Sequence, residues 1–599
     1  MRNRLVYLLK TYLWTMLVFI IGKIVFLLCN MTSHSFTIGD VVDVIWHGMT
    51  LDLSVALYFI CLPLLLVIIG LWINLPRIII LVYVAFIAEM MALAFVIDTS
   101  LYPFWGFKLN NTCLQYLETP KEAFASVSIG YLLLRLVAIV VVAVIIYLGY
   151  PKRWKQNAQG WARILESGLY LLFIPFIIIG IRGGLGESTT NVGQVFYSQN
   201  LFLNHAAINP IFSFFSSFEH GEKDYFHYNY FDDSTCQQLV ENVYTTESVN
   251  CDTLLNTQQP DIIIILMESC GSVFTAQGGR EGIMPNLDRL AREGVFFTQC
   301  YANSWRTDRG AVCTLSGWPS FPNVSVMKMP DKSQTMPSLA KTLKQQHYNT
   351  SFLYGGDINF TNMRGYLMAT GWDSVTSIED FTKEQQNSGR WGVRDDITFD
   401  TLYRMVTTAQ HPFLFGYLTL SSHEPWDVPV KHFDDEILNA FYYLDQCIGT
   451  FINKMKKTRE WDNLLIVMLA DHGYQHQELD ETKPLRNLIP VIWTGGAIKA
   501  PRRIETICNQ SDLAATLLGQ LGLSHKDFTF SRDVLSQTYR YPLAIHNYNN
   551  AQSMIDSTGF ILYDFDAEQF LKAEGNDTER MQKVNKAILQ KTTNNLKYR

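Results

Sequence analysis

Charge is scarce in this chain of 599 residues: Asp, Glu, Lys and Arg together make up only 17%, and the formal net charge is −7. No basic cluster exceeds short loop groups such as Lys152, Arg153 and Lys155, which argues against a nucleic acid as partner. Cysteines at redox or zinc spacing are missing too. None of the ten forms a Cys-x-x-Cys pair, so no thiolate metal site is written into the chain. Seven of them (Cys236, Cys251, Cys270, Cys300, Cys313, Cys447 and Cys508) fall in its second part, an odd count for which buried free thiols are the simplest expectation. Long apolar runs are absent after the first third. What the chain has is 48% hydrophobic residues with their longest runs gathered at the amino-terminal end, so two parts of different solvent class are expected rather than one soluble domain.

Five stretches reach the roughly 20 apolar residues that a membrane-spanning helix needs: 5–29, 51–73, 77–97, 129–150 and 164–181. The first is too long, and too closely followed by others, to be a cleaved signal peptide. Arg2, Arg4, Arg77, Lys152, Arg153, Lys155 and Arg163 flank one set of span ends. The other set has only Lys108 and Lys121. That bias places the amino terminus in the cytoplasm, and an odd number of spans leaves everything after residue 181 on the outer face. Lys23, Asp52, Glu89 and Arg135 are the polar residues within spans, and Glu89 is expected to pair with Arg135.

Residues 182–259 read as a connecting region. Its aromatic piece, 200–218, is interrupted by Asn204, His205, Asn209 and Pro210 and is expected to lie along a membrane interface; an acidic, polar stretch follows from 219. From 260 to 599 short apolar strands alternate with helical segments, the pattern of a layered α/β domain with a mostly parallel sheet. Strands are expected at 262–267, 349–354, 413–420 and 464–470. Polar residues stand just beyond each: Glu268; Gly355, Gly356 and Asp357; Ser421, Ser422 and His423; Asp471, His472 and Gly473. The carboxyl ends of strands are where open α/β sheets hold their ligands.

Between the first two strands lies NSWRTDRGAVCTLSGWP, residues 303–319, in which Thr307 is expected to cap a helix and to offer its hydroxyl beside the free N–H groups of the first turn. Glu268 and Asp471 offer carboxylate oxygens, His472 an imidazole nitrogen and Thr307 a hydroxyl oxygen. Such a mixed, hard donor set suits Mn²⁺ or Mg²⁺ and is compatible with Zn²⁺. A cation there also answers a chemical need, because a threonine hydroxyl is a weak nucleophile at neutral pH unless activated.

The segments PDIIIILMES (260–269), MPNLDRLAREGVFF (284–297), NSWRTDRG (303–310), LYGGDINFTNM (353–363), WGVRDD (391–396), SSHEPWDVP (421–429) and ADHG (470–473) resemble the lipoteichoic acid synthase and phosphoglycerol transferase family of the alkaline phosphatase and sulfatase superfamily. The resemblance covers roughly residues 260–535, and the five spans fit the same architecture. It implies a bacterial cytoplasmic-membrane enzyme whose outer domain moves a phosphoglycerol unit from phosphatidylglycerol, or a related phospholipid, to an envelope glycan or lipid through a phosphothreonine. Carried over residue by residue, Glu268, Asp471 and His472 match the metal ligands, with Mn²⁺ as the metal. Thr307 matches the nucleophile and His423 the histidine of the headgroup pocket, and an imidazole there is also expected to serve as catalytic acid and base toward the leaving lipid.

One departure stands out: the family's Phe-Trp-Asn-Arg run is here Phe360, Thr361, Asn362, Met363, Arg364. Arg364 or Arg309 is then the expected phosphate contact, Asn362 a headgroup contact, and Trp391 with Phe360 a pocket wall. A phosphoethanolamine transferase or a phosphodiesterase of the same superfamily is the alternative enzyme. A sulfatase proper is excluded, since no Cys- or Ser-x-Pro-x-Arg motif occurs. A binding protein that kept the fold without turnover would not be expected to retain Glu268, Thr307, Asp471 and His472 together.

Overall fold

The apolar first third forms five helices: α1 (Arg2–Cys29), α2 (Ile38–Ile69), α3 (Arg77–Trp105), α4 (Ile129–Gly149) and α5 (Trp161–Arg182). All five are long and apolar enough to cross a membrane. The structure, a computed structural model, describes residues 1–114, 129–218, 228–249, 252–322, 324–477, 479–549, 551–565 and 567–599. Lys121, Cys251 and residues 219–227 of the acidic stretch lie outside the described residues. The chain divides into two compact units, Met1–Gly221 and Glu222–Arg599.

In the first unit α2 starts well before the expected residue 51. Thr37 and Asp40 form a capping box, Thr37 Oγ1 accepting from Asp40 N at 3.2 Å and Asp40 Oδ2 accepting from Thr37 N at 2.6 Å. The first turns are amphipathic, so hydropathy alone misses them. Helix α3 likewise runs past residue 97 and ends at Gly106, whose φ of +69° lies in the left-handed region that favours glycine. The Met1 amino group and Arg4 both bond Glu166, at 3.0 and 2.8 Å, so α1 and α5 begin at the same end of the bundle.

The expected Glu89–Arg135 pair is not formed. Glu89 is exposed, and Arg135 stacks its guanidinium 4.7 Å from the Tyr131 ring centroid and donates to the Tyr131 hydroxyl at 3.3 Å, one helical turn away. Lys23 and Asp52 are the residues that pair, at 2.5 Å, each 3% exposed or less, with the Asn209 amide donating to Asp52 Oδ1 at 2.9 Å. A second buried pair joins Asp98 to Lys108. The aromatic stretch 200–218 contains two short helices, Leu201–Ala207 and Pro210–Ser216, started by the Asn200 and Asn209 side chains. Phe202, Leu203, Ala206, Ile208 and Ile211 are buried within this unit.

The second unit is built on strands β1 (Asp261–Met267), β2 (Val295–Phe297), β3 (Cys300–Tyr301), β4 (Asn349–Tyr354), β5 (Ser374–Thr376), β6 (Phe413–Leu418), β7 (Leu464–Ala470), β8 (Val491–Thr494), β9 (Arg502–Ile504), β10 (Cys508–Asn509), β11 (Leu543–Asn547), β12 (Ala551–Asp556), β13 (Gly559–Asp564) and β14 (Gln569–Gly575). Eight form the main sheet in the order β5-β4-β6-β1-β7-β8-β2-β9. The run from β5 to β7 is parallel, and β8 is antiparallel to both its neighbours. The unbroken Ile262–Ile265 run is explained by its place: β1 is central, flanked by β6 and β7, and every one of its residues is buried. Beyond the main sheet, β3 pairs with β10 through Cys300 and Cys508, and β11 to β14 form an antiparallel meander. Helix Thr578–Lys597 packs on that meander through Met581, Val584 and Ile588.

Candidate active site

Central strand β1 and its neighbour β7 end side by side, Met267 in register with Ala470, so the next residue of each chain segment emerges at the same edge. Those residues are Glu268 and Asp471. Asp471 is fully buried; its Oδ1 accepts from the backbone N–H of Ser269 and of His472, both at 2.8 Å, whereas its Oδ2 has no hydrogen-bond partner. Ser269, at φ +55°, turns the chain sharply after β1 and donates its hydroxyl to Glu268 Oε1 at 2.7 Å. The Glu268 backbone is held by Thr419 and Ser422, which follow β6.

His472 donates from Nδ1 to the Gly473 carbonyl at 2.8 Å, which leaves Nε2 as the lone-pair nitrogen. That nitrogen stands 3.7 Å from Glu268 Oε1 and 3.5 Å from Asp471 Oδ2. Ligand atoms of Glu268, Asp471 and His472 lie within 4.8 Å of one another, a cluster able to hold a metal ion. The electrostatics point the same way. Burial, and then the Glu268 charge, push the Asp471 carboxyl up to about 7. Burial opposes a charged His472, but the Asp471 and Glu268 carboxylates outweigh it and raise its pKa. Two carboxylates held this close, one with an orphaned buried oxygen, form a donor set that fits a divalent cation.

Thr307 is the first residue of the helix Thr307–Ser316, not its cap: Arg306 takes the capping position, with no side-chain cap bond. The expectation fails by one residue because the Thr307 hydroxyl is engaged elsewhere, donating to Glu268 Oε2 at 3.1 Å and also facing Asp471. The helix is seated by Gly310, where a Cβ would lie 2.0 Å from the Asp471 carbonyl oxygen; only glycine permits that approach. Gln510 donates to the Ala470 and Asp471 carbonyls and fixes the same corner from behind.

The remaining expected residues separate into two groups. Trp391 packs on His423 with centroids 4.7 Å apart and on Phe360 at 6.0 Å, and His423 directs Nδ1 to the Glu424 carbonyl at 2.7 Å. Arg309 is buried and donates to the Phe321 carbonyl at 3.4 Å and to Asn549 at 3.2 Å. Arg364 donates to Asn359 at 2.8 Å and pairs with Glu379 at 3.2 Å. Asn362, at φ +67°, donates to the Met327 carbonyl and keeps a buried Oδ1 with no partner. Asp357 accepts from Asn359 N at 3.0 Å within its turn, and His476 is held between Arg280 and Asp435. Burial raises the Cys270 and Cys313 thiols, as expected of inert cysteines. Ser422 was legible as a polar residue following a strand, whereas Ser269 was passed over beside Glu268. Gln510, Arg486 and His546 carry no such signal, because they come from short or irregular segments.

Comparison with known proteins places this geometry. Residues 260–523 match the Sulfatase family model. Lipoteichoic acid synthase 2 of Bacillus subtilis is 24% identical over 318 residues, which is 48% of this chain and 49% of that protein. Phosphoglycerol transferase I of Xanthomonas campestris pv. campestris is 25% identical over 310 residues, 47% of this chain and 44% of the other. The chain spans about half the length of the curated relatives it matches. A crystal structure of a Vibrio parahaemolyticus protein in the alkaline phosphatase superfamily aligns with a TM-score of 0.54 and 25% identity, covering 62% of this chain and 97% of that one.

Proposed function

Since the chain is a lipoteichoic acid synthase-like member of the alkaline phosphatase superfamily, we propose that it transfers phosphoglycerol from phosphatidylglycerol to a hydroxyl of an envelope glycan or lipid, with Thr307 as nucleophile. The observation that carries this reading is the meeting of Glu268, Thr307, Asp471 and His472 at the carboxyl edge of the sheet, with Asp471 Oδ2 orphaned. Those four residues would hold a divalent cation, Mn²⁺ by resemblance, which when bound supplies positive charge to phosphate oxygens and acidifies a coordinated hydroxyl.

The chain's own groups account for the rest. The Thr307 hydroxyl already donates to Glu268, so its proton has an acceptor as Oγ1 approaches phosphorus. The Oγ1–P bond forms while the bond from phosphorus to the diacylglycerol oxygen breaks, and diacylglycerol leaves as an alcohol. His423, which packs on Trp391, is assigned the role of acid: as the imidazolium, with its Nδ1–H held by the Glu424 carbonyl, it gives its Nε2 proton to the leaving oxygen. The acceptor hydroxyl then returns a proton to His423 as it attacks the phosphothreonine, which restores Thr307. Asn362 and Trp391 line the headgroup side.

The five apolar helices keep a lipid donor and a lipid product at the membrane. The Lys and Arg bias around their ends supports a cytoplasmic amino terminus in the bacterial cytoplasmic membrane. Because α1 and α5 begin at the same end of the bundle, Arg182 emerges at the opposite one, which supports an outer catalytic domain.

The test is the intact mass of the full chain in detergent micelles with Mn²⁺ and either phosphatidylglycerol or phosphatidylethanolamine, with Thr307→Ala alongside. A phosphoglycerol adduct from phosphatidylglycerol alone, absent in the variant, is the expected result. An adduct from phosphatidylethanolamine alone would reassign the donor, and none from either lipid in folded, metal-loaded protein would overturn transfer by this route.

A further inference from the structure

The two arginines expected on the phosphate direct several of their N–H groups to the protein itself, Arg309 to Phe321 and Asn549, and Arg364 to Asn359 and Glu379. A third, which the sequence did not single out, is placed differently. Arg486 ends a short turn after β7, and its carbonyl packs directly on Gly473, beside His472. Its guanidinium meets the Tyr548 hydroxyl, while its Nε and Nη1 are buried without a hydrogen-bond partner. The next residue, Asn487, accepts from Ala302 N at 2.8 Å and donates to the Tyr548 hydroxyl at 2.9 Å, which ties this turn to β11 and to the segment leading into Thr307.

On β11 stands His546, 2% exposed. Its Nδ1 donates to the Ala302 carbonyl at 2.7 Å, so the ring is held in the tautomer whose Nε2 carries a lone pair, and that Nε2 has no partner. Its ring packs on Tyr548 at 4.4 Å, and the adjacent Asn547 bridges Ser304, three residues before the nucleophile. Burial, with the Arg486 and Arg309 guanidiniums opposing a further positive charge, keeps this imidazole neutral. Orphaned donors on Arg486 and an orphaned acceptor on His546 thus flank the same corner. A buried donor or acceptor left alone is costly, so the pair is arranged for something that supplies both an anion and a hydroxyl.

We propose that Arg486 and His546 form the subsite for the transferred headgroup, with the guanidinium on phosphate oxygens and His546 Nε2 accepting from a glycerol hydroxyl. The assignment rests on the transfer reading above and deepens it to donor selection. An uncharged, hydroxylated headgroup satisfies both partners. An ammonium headgroup could also donate to Nε2, but it would sit against the Arg486 and Arg309 guanidiniums, whose fields oppose a second cation.

The test uses the full chain in Mn²⁺-loaded micelles. Steady-state transfer from phosphatidylglycerol and adduct formation from phosphatidylglycerol and phosphatidylethanolamine are followed for wild type, Arg486→Gln, Arg486→Lys and His546→Phe, with thermal melts as the folding control. Arg486→Gln is expected to raise KM for phosphatidylglycerol roughly 10- to 100-fold with a smaller change in kcat, the scale of a charge-assisted bond. Arg486→Lys should recover part of that loss, and His546→Phe should shrink the preference between the two lipids about tenfold. Unchanged KM and preference in folded variants of a wild type that does form the phosphoglycerol adduct would overturn the subsite and leave the transfer reading standing.

If wild type forms no adduct from phosphatidylglycerol, the transfer reading fails instead. The subsite is then judged by calorimetric binding of glycerol 1-phosphate and phosphoethanolamine to Thr307→Ala protein. A glycerol phosphate preference abolished by Arg486→Gln upholds it, and equal binding overturns it.

Discussion

The buried ion pairs of the helical unit and the polar groups at the catalytic corner are treated in opposite ways. In the helical unit Lys23, Asp52 and Asn209 close on one another, and Asp98 is met by both Lys108 and the Leu109 N–H. In the catalytic unit Arg532 and Asp512 are matched in the same way, but at the site Asp471 Oδ2, Arg486 Nε and Nη1, and His546 Nε2 are buried without a hydrogen-bond partner. Both are expensive placements, since an ion taken out of water loses several kcal/mol of solvation. A charge that is matched within the chain serves the scaffold. One left unmatched stands ready for something from outside, and its cost is borne by the surrounding fold.

Removing each kind of charge should therefore have different consequences. The largest effect is expected from Asp471→Asn, which keeps an oxygen for the Ser269 and His472 N–H groups but removes a carboxylate from the metal cluster. Transfer should fall roughly 1,000-fold or more, about 4 kcal/mol in barrier. In chelator the variant should melt no earlier than wild type, because a repulsive buried carboxylate has gone; an early melt would show that the orphan is structural after all.

Next is the helical unit. Lys23→Met or Asp52→Asn alone leaves a buried charge unmatched and should cost about 3–5 kcal/mol of unfolding free energy in micelles, while the double variant Lys23→Met with Asp52→Leu recovers much of it. Equal losses in single and double variants would remove the distinction between the two kinds of charge.

A smaller effect concerns pH. The His546 pKa is pushed down to about 3 by burial and its cationic neighbours, below the ordinary 6.5 that the unfolded chain retains. The unfolded state then binds the extra proton between those values, so this contribution to stability is complete above pH 6.5 and declines as pH falls toward 3. By pH 5 the loss is roughly 2 kcal/mol, and His546→Phe should flatten that part of the profile in a pH series of melts. The smallest effect belongs to Arg364–Glu379, whose acid is 68% exposed. Glu379→Gln should change stability by no more than about 0.5 kcal/mol, and a larger shift would mean that the pair holds the headgroup loop in shape.

How far the sequence discloses all this depends on the range of the interactions involved. Strands β1, β4, β6 and β7 were legible because a strand buried on both faces needs a run of apolar residues, and Glu268, Asp471 and His472 were legible because they follow such runs directly. Thr307 was found but misplaced by one position, since an N-cap and a first helical residue differ only in what the hydroxyl bonds. The start of α2 was missed because its first turns are amphipathic. The pairing of Lys23 with Asp52 rather than Glu89 with Arg135 depends on how helices face one another, which a hydropathy profile does not contain. Arg486 and His546 were invisible for a related reason: each is an isolated polar residue in a short segment, brought to the nucleophile only by packing across more than 150 residues of chain.

The contact of Gly310 with the Asp471 carbonyl has a further consequence, which concerns tolerance in the machinist's sense. The spacing between the nucleophile's helix and the acid it faces is gauged by a hydrogen atom where any other residue would insert a carbon, with no flexible side chain in between to take up error. A shim of one methyl group would open the gap by roughly 1 Å, a displacement that elsewhere costs about 100-fold in rate without touching a reacting atom. Reactivity in this domain is thus set by a dimension as well as by functional groups, and the part that fixes the dimension has no chemistry of its own.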